Sequence, residues 1–337
     1  MARSRILVTG AAGFIGSHTI DQLLKAGHSV YGVDNLRTGR LGNISDAIQA
    51  GLEFHQFDIL DSERLNRLVK KARIEAIIHC AALVSVTESI NNPDVNFRLN
   101  IEGTYRVAEA ARLNSVRRLV FASSAAVYGD TQRMPVKEKS ELKPISPYGA
   151  AKLASEYILL SYATAYGMTV RIQRYFNVYG VRQDASSPYS GVISIFARRL
   201  SRGQPITIYG DGKQTRDFIH VSDVAKANMA AATKPRIKTG IANICTGKPT
   251  SLLRLVKELN RSGSTVCQPI FAPPRIGDIN RSVGCSNIAA KDLGFVAKRL
   301  VTQGLAELMV AEFASAVDPL PGIKVCSRQQ QRLSQTS

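Results

Sequence analysis

There is no tryptophan among the 337 residues, cysteine is sparse, and no long apolar run is present. Each shortage closes off a class of protein. The five cysteines (Cys80, Cys245, Cys267, Cys285 and Cys326) are odd in number and widely scattered. Neither a CxxC pair nor a Cys/His cluster accompanies them, so a zinc site or a redox dithiol is not expected. Unpaired thiols suit a reducing compartment, and a cytoplasmic location is expected. No apolar stretch approaches the roughly 20 residues of a membrane helix, so no membrane role is expected. An apolar run that starts at Arg5 and leads straight into a glycine-rich loop argues against an N-terminal signal peptide. Acids are scarce in the second half. Residues 1–170 hold 20 basic and 16 acidic groups, whereas residues 171–337 hold 24 and 10, for a net charge of +18 over the chain. A basic half suits an anionic ligand, a nucleic acid or an acidic surface. With no nucleic-acid motif and no basic-aromatic stripe, an anionic small ligand is the preferred reading.

What is present is a chain with 45% apolar residues, long enough to bury a large core without cross-links. Short apolar runs at 5–8, 29–34, 53–58, 74–80, 118–122 and 169–175 read as strands. Helical spacing over 15–26, 61–72, 96–114 and 148–166 alternates with them. That alternation predicts an α/β fold, a doubly wound parallel sheet of the Rossmann kind. Beyond Asn177 the pattern loosens, with helices expected near 191–203, 222–233, 251–262, 287–294 and 302–316. The expected organisation is a dinucleotide-binding domain over 1–176, with 215–243 packing back onto it. A smaller mixed α/β substrate lobe would comprise 177–214 and 244–320, and a disordered tail would follow over 321–337.

Two groups of residues carry chemistry. In Thr9-Gly10-Ala11-Ala12-Gly13-Phe14-Ile15-Gly16, Gly10 permits a tight turn and Gly13 lets the backbone approach a pyrophosphate. Gly16 lets the helix pack closely on the strand, and the helix N-terminus faces the phosphates. Asp34 ends the second strand, placed to accept ribose hydroxyls and to repel a 2′-phosphate, which favours NAD over NADP. Arg37 could welcome that phosphate, and alone Asp34 is as readily a solvated turn acid. Asp58, at the end of the third strand, could reach the adenine; alone it reads as a helix cap.

The second group is Tyr148-Gly149-Ala150-Ala151-Lys152, which sets a phenol and an ammonium one turn apart on one helix face. A free tyrosine has a pKa of about 10, so it acts as a base at neutral pH only with help, which a neighbouring ammonium and a cationic nicotinamide supply. Ser124 lies just past the fifth strand, where parallel sheets bind ligands, and can bond the same substrate oxygen. Either motif alone also fits an ordinary surface helix or a turn serine.

The segments TGAAGFIGSH, VDNLRTG, SSAAVYG, SPYGAAK, RYFNVYG, IYGDGKQTRDFIHVSDVA and APPRIGDINRS together resemble the extended short-chain dehydrogenase/reductases. Within them the chain is similar to the NAD-dependent epimerase/dehydratase family, and to its UDP-glucose/UDP-N-acetylglucosamine 4-epimerases, from Arg5 to about Leu320. The resemblance implies 4-epimerisation of UDP-hexoses through a transient 4-keto sugar, with tightly bound NAD regenerated in each turnover. It implies Ser124, Tyr148 and Lys152 as the catalytic set. Gly10, Gly13, Phe14, Ile15, Gly16, Asp34, Asn35, Asp58, Ile59, Ala81, Ala82, Asn100 and Phe176 would hold the cofactor beside Tyr148 and Lys152. Asn177, Val192, Tyr209, Arg216, Arg275, Asp278 and Ser282 would join Ser124 in holding the UDP-sugar. A homodimer through the helices near 96–114 and 148–166 is also implied.

Relatives that dehydrate sugars carry an acid just after the Ser/Thr pair, to protonate the departing hydroxyl. Here Ala125-Ala126 stand there, which favours epimerisation. Ser282, four residues past Asp278, occupies a position where a bulky tyrosine would restrict the hexose pocket; a small residue there admits N-acetyl groups. The alternatives are a UDP-glucuronate 4-epimerase or another sugar-nucleotide epimerase and, in a different class, a non-catalytic dinucleotide-sensing protein that binds an acidic partner.

Overall fold

A computed structural model of the chain describes residues 3–184, 191–262, 267–274 and 279–317. Its main sheet is built from β1 (Arg5–Thr9), β2 (Ser29–Asp34), β3 (Glu53–Gln56), β4 (Ala76–His79), β5 (Arg118–Ser124) and β6 (Thr169–Tyr175). Further strands follow: β7 (Asn177–Tyr179), β8 (Thr207–Tyr209), β9 (Thr215–His220), β10 (Gly240–Ile244), which joins the main sheet as its seventh strand, β11 (Pro249–Ser251), β12 (Ile270–Ala272) and β13 (Arg281–Ser282). The main sheet is ordered β10-β6-β5-β4-β1-β2-β3, and every pairing in it is parallel. The chain runs outward from β1 through β2 to β3, then returns to β4 on its other side. That reversal opens a crevice beyond the ends of β1 and β4, where ligands of such sheets bind.

Alternating side chains build two cores. From β1, Ile6 and Val8 point to one face and pack with Ile20, Leu23, Val224 and Ala227; Leu7 points to the other and packs with Leu65, Val69, Val107 and Leu159. All are buried, and truncating one such leucine costs about 2–5 kcal/mol. A third cluster, including Phe196, Ile208, Phe218, Leu255 and Leu305, packs among the strands and helices that follow β6.

Local chemistry sets the helix that carries Tyr148 and Lys152. Ser146 caps it by accepting the Gly149 N–H at 3.1 Å, Pro147 occupies its first turn, and Gly167, at φ +69°, ends it at Tyr166. The expected helix over 96–114 is interrupted: a wide turn of π-helix spans Phe97–Glu102 before an α-helix covers Gly103–Leu113. Asn100 accounts for the widening. Its side chain accepts the Leu83 N–H and donates to the Leu83 carbonyl, while its own carbonyl accepts the Ser155 and Thr104 hydroxyls. The expected tail over 321–337 lies outside the described residues. Among those described, no helix is long and apolar enough to cross a membrane.

Candidate active site

The crevice holds a cavity of roughly 430 Å³ lined by Gly10, Gly13, Phe14, Ile15, Gly16, Asp34, Asn35, Asp58, Ile59, Ala81, Ala82, Ser124, Tyr148 and Phe176. Its floor is the turn between β1 and the helix Phe14–Lys25. Gly10 adopts φ +68° against the Cys80–Ala81 backbone, and a Cβ on Gly16 would lie 2.0 Å from the Gly10 carbonyl oxygen. The helix begins without a side-chain cap at Gly13, which leaves amide N–H groups available to an anion. A cradle too tight for any side chain, with uncapped amides above it, fits a dinucleotide pyrophosphate. Asp34 Oδ2 accepts the Ala12 N–H at 2.9 Å and Oδ1 the Leu36 N–H at 2.8 Å. Burial pushes its carboxyl up, and the backbone N–H groups oppose that shift. Asn35 donates to Asp58 at 2.8 Å and ties the rim of β2 to that of β3.

A second cavity of about 300 Å³ opens beside the first, lined by Ala125, Ala126, Met134, Asn177, Arg216, Arg281 and Ser282 among others. None of its described lining residues is acidic. Ser282 stands opposite Arg216 in the β13–β9 register, so the two share one face of that small sheet. Five residues line both cavities: Val84, Ser124, Tyr148, Tyr175 and Phe176.

At that junction the Tyr148 and Ser124 side chains meet, and the Ser124 hydroxyl lies close enough to act on the phenol. Ser124 Oγ also accepts the Ala126 N–H at 3.2 Å, which aims it at the cavities. Lys152 lies beneath, buried, its Nζ donating to the Ala122 carbonyl at 2.9 Å and 5.9 Å from the centre of the Tyr148 ring. Burial pulls the Lys152 ammonium down to about 8, opposed by Cys80 and the Glu156 carboxylate. Burial pushes the Tyr148 phenol up, and the Ser124 hydroxyl opposes that.

Other expected site residues stand one layer back. Lys152 and Asn100 reach the crevice through neighbours, and Val192 and Tyr209 line neither cavity. Arg275 and Asp278 lie outside the described residues. The cofactor-side cavity also includes Arg40, Asn43, Ser85 and Glu88, which sequence reasoning did not single out. They reach it from two segments far apart in sequence, and Arg40 stands just after the VDNLRTG segment.

With this geometry in place, the sequence model of the NAD dependent epimerase/dehydratase family matches residues 6–245. The chain belongs to that family. As a family member it is 39% identical to the UDP-glucose 4-epimerase of Mycolicibacterium smegmatis over 305 residues, 90% of this chain and 96% of that protein. Its fold superposes with a TM-score of 0.87 on the UDP-glucose 4-epimerase of Thermotoga maritima with UDP-glucose, at 35% identity, covering 93% of this chain and all of the other. A UDP-N-acetylglucosamine 4-epimerase from Methanobrevibacter ruminantium, in complex with UDP-N-acetylmuramic acid, gives 0.88 at 33% identity, covering 94% and 100%.

Proposed function

We propose that this family member is an NAD-dependent UDP-hexose 4-epimerase. The observation that carries the reading is that Tyr148 and Ser124 both line the two cavities where these meet, with Lys152 beneath them. A group at that junction reaches a cofactor on one side and a sugar on the other. The relatives named above support the same reaction.

Gly10, Gly13 and Gly16 hold the pyrophosphate, Asp34 and Asn35 the adenosine ribose, Asp58 and Ile59 the adenine side, and Ala81, Ala82 and Phe176 border the rest. NAD, when bound, supplies reversible hydride acceptance from sugar carbon 4. Tyr148 takes the proton of the sugar 4-hydroxyl, and Ser124 bonds the same oxygen. The Lys152 ammonium favours the phenolate that does this. Arg216, with Arg275, anchors the diphosphate, since a guanidinium fork suits phosphate oxygens. While the anchor holds, the 4-keto sugar turns its other face, and Tyr148 returns the proton. Ala125 and Ala126 line the sugar side, and among the described lining residues there is no acid to protonate a departing hydroxyl, which favours epimerisation over elimination.

Ser282 leaves the sugar cavity open enough for N-acetylhexosamines as well as for glucose and galactose. A homodimer through the helices around Gly103–Leu113 and Pro147–Tyr166 completes the proposal, supported by exposed Phe97, Tyr105 and Tyr157 on that side of the molecule. The unpaired thiols Cys80, Cys245, Cys267 and Cys285 fit a cytoplasmic setting. Tyr148→Phe tests the assignment: kcat for UDP-galactose should fall by about 10²–10⁴ with little change in KM. Turnover near the wild-type rate would remove Tyr148 from its role.

A further inference from the structure

On the helix Pro147–Tyr166, side chains four residues apart share a face, and three of them meet the end of β5. Tyr148 sits beside Ser124 at the junction of the cavities, Lys152 donates to the Ala122 carbonyl, and Glu156 accepts the Ser123 hydroxyl at 2.5 Å. From β6, Arg174 closes on the other side of that carboxylate, with Nε at 2.9 and 3.2 Å and Nη2 at 2.6 Å. Both side chains are out of water, Arg174 at 1% and Glu156 at 2% exposure. The bonding continues outward. Arg174 Nη1 donates to the Tyr128 hydroxyl, Tyr128 donates to Asn243 Oδ1 at 2.7 Å, and Asn243 Nδ2 donates to the Val136 carbonyl. Val136 pairs with Val283 and Cys285, the segment that continues directly from Ser282.

A buried ion pair is weak evidence for stability, because an apolar pair of similar volume often does as well or better. Its geometry here serves something else. We infer that Glu156, held by Arg174, is a positioning residue for the epimerisation: it fixes the register of the helix on β5 and keeps a negative charge beneath Lys152. The inference rests on the reading of Tyr148 and Lys152 given above. The charged and titratable groups around Lys152 are Tyr148 and Glu156 on its own helix and His79 and Cys80 from β4, with Arg174 from β6 behind Glu156. If the Glu156 charge is removed, Arg174 stays as an uncompensated cation near the ammonium, and Lys152 loses its proton at lower pH.

Three variants test this, each assayed as the full-length holoprotein with UDP-galactose. Glu156→Gln keeps the shape and should lower kcat at least about tenfold, leave KM and bound NAD near wild type, and move the alkaline limb of kcat down by about one pH unit. Glu156→Asp keeps the charge and should keep the limb in place. The double variant Glu156→Leu with Arg174→Met removes both charges; its melting temperature should return to wild type or above while kcat stays low. A wild-type kcat and pH profile in Glu156→Gln would overturn the inference. So would recovery of kcat together with stability in the double variant, which would make the pair structural only. Full activity in Tyr148→Phe would fail the underlying reading instead, so the two failures are separable.

Discussion

The Lys152 ammonium stands 5.9 Å from the centre of the Tyr148 ring and gives its hydrogen bond to the Ala122 carbonyl, one turn along the helix from the phenol it serves. The cation is therefore held by the sheet and acts on the tyrosine through space. A charge buried in this way carries a cost to the fold, and that cost depends on pH.

Burial lowers the Lys152 pKa from 10.5 to about 8. Below pH 8 the folded and unfolded chains both carry the proton, and the full cost of burying it applies. Between 8 and 10.5 only the unfolded chain keeps the proton, so stability rises with pH across that window. Lys152→Met should therefore gain most in melting temperature, relative to wild type, below pH 8. That advantage should shrink by roughly 3 kcal/mol as the pH approaches 10.5. Turnover should be lost throughout. Thermal unfolding of the cofactor-free proteins at several pH values checks this, and parallel curves would contradict it.

Gly16→Ala should strip the protein of NAD. The new methyl would sit 2.0 Å from the Gly10 carbonyl oxygen and 2.8 Å from its carbon, so the loop backbone must shift. Overpacking of this kind costs about 1–3 kcal/mol and would also displace the amides that face the pyrophosphate. The amount of nucleotide released on denaturing the purified variant measures it. Wild-type NAD content would show that the loop is not the cradle.

Ser282→Tyr should narrow the sugar cavity from the wall it shares with Arg216. The expected result is a loss of about a hundredfold in kcat/KM for UDP-N-acetylgalactosamine with UDP-galactose little changed, because added bulk rejects the larger substituent. Equal losses on both substrates would mean that Ser282 does not discriminate between them.

The sheet was legible because its strands are short, mostly apolar or β-branched segments set between turn signals, even in β6, where buried Arg171, Gln173 and Arg174 interrupt the apolar run. Ser29–Asp34 and Thr169–Tyr175 fall where the sequence placed them. Tyr148, Lys152 and Ser124 were legible for a related reason, since helical spacing and a strand end fix their places locally. The π-turn at Phe97–Glu102 was not, because it depends on bonds from Asn100 to Leu83 and Ser155, distant in sequence. The same holds for Arg40 and Glu88 on the cofactor rim, and for the Glu156–Arg174 pair, which nothing local to either residue foretells. Val192 and Tyr209 came only from resemblance; here Val192 opens the helix ending at Ser201 and Tyr209 ends β8.

On this reading the protein carries its own NAD and inverts carbon 4 of a UDP-hexose with Tyr148 as the base. The most direct measurement is an epimerisation assay of the purified protein without added NAD, using UDP-galactose and UDP-N-acetylgalactosamine, with Tyr148→Phe as control. The wild type should turn over both substrates, and the variant should do so more slowly by about 10²–10⁴. No turnover of either substrate, with or without added NAD, would contradict it and turn attention to UDP-glucuronate.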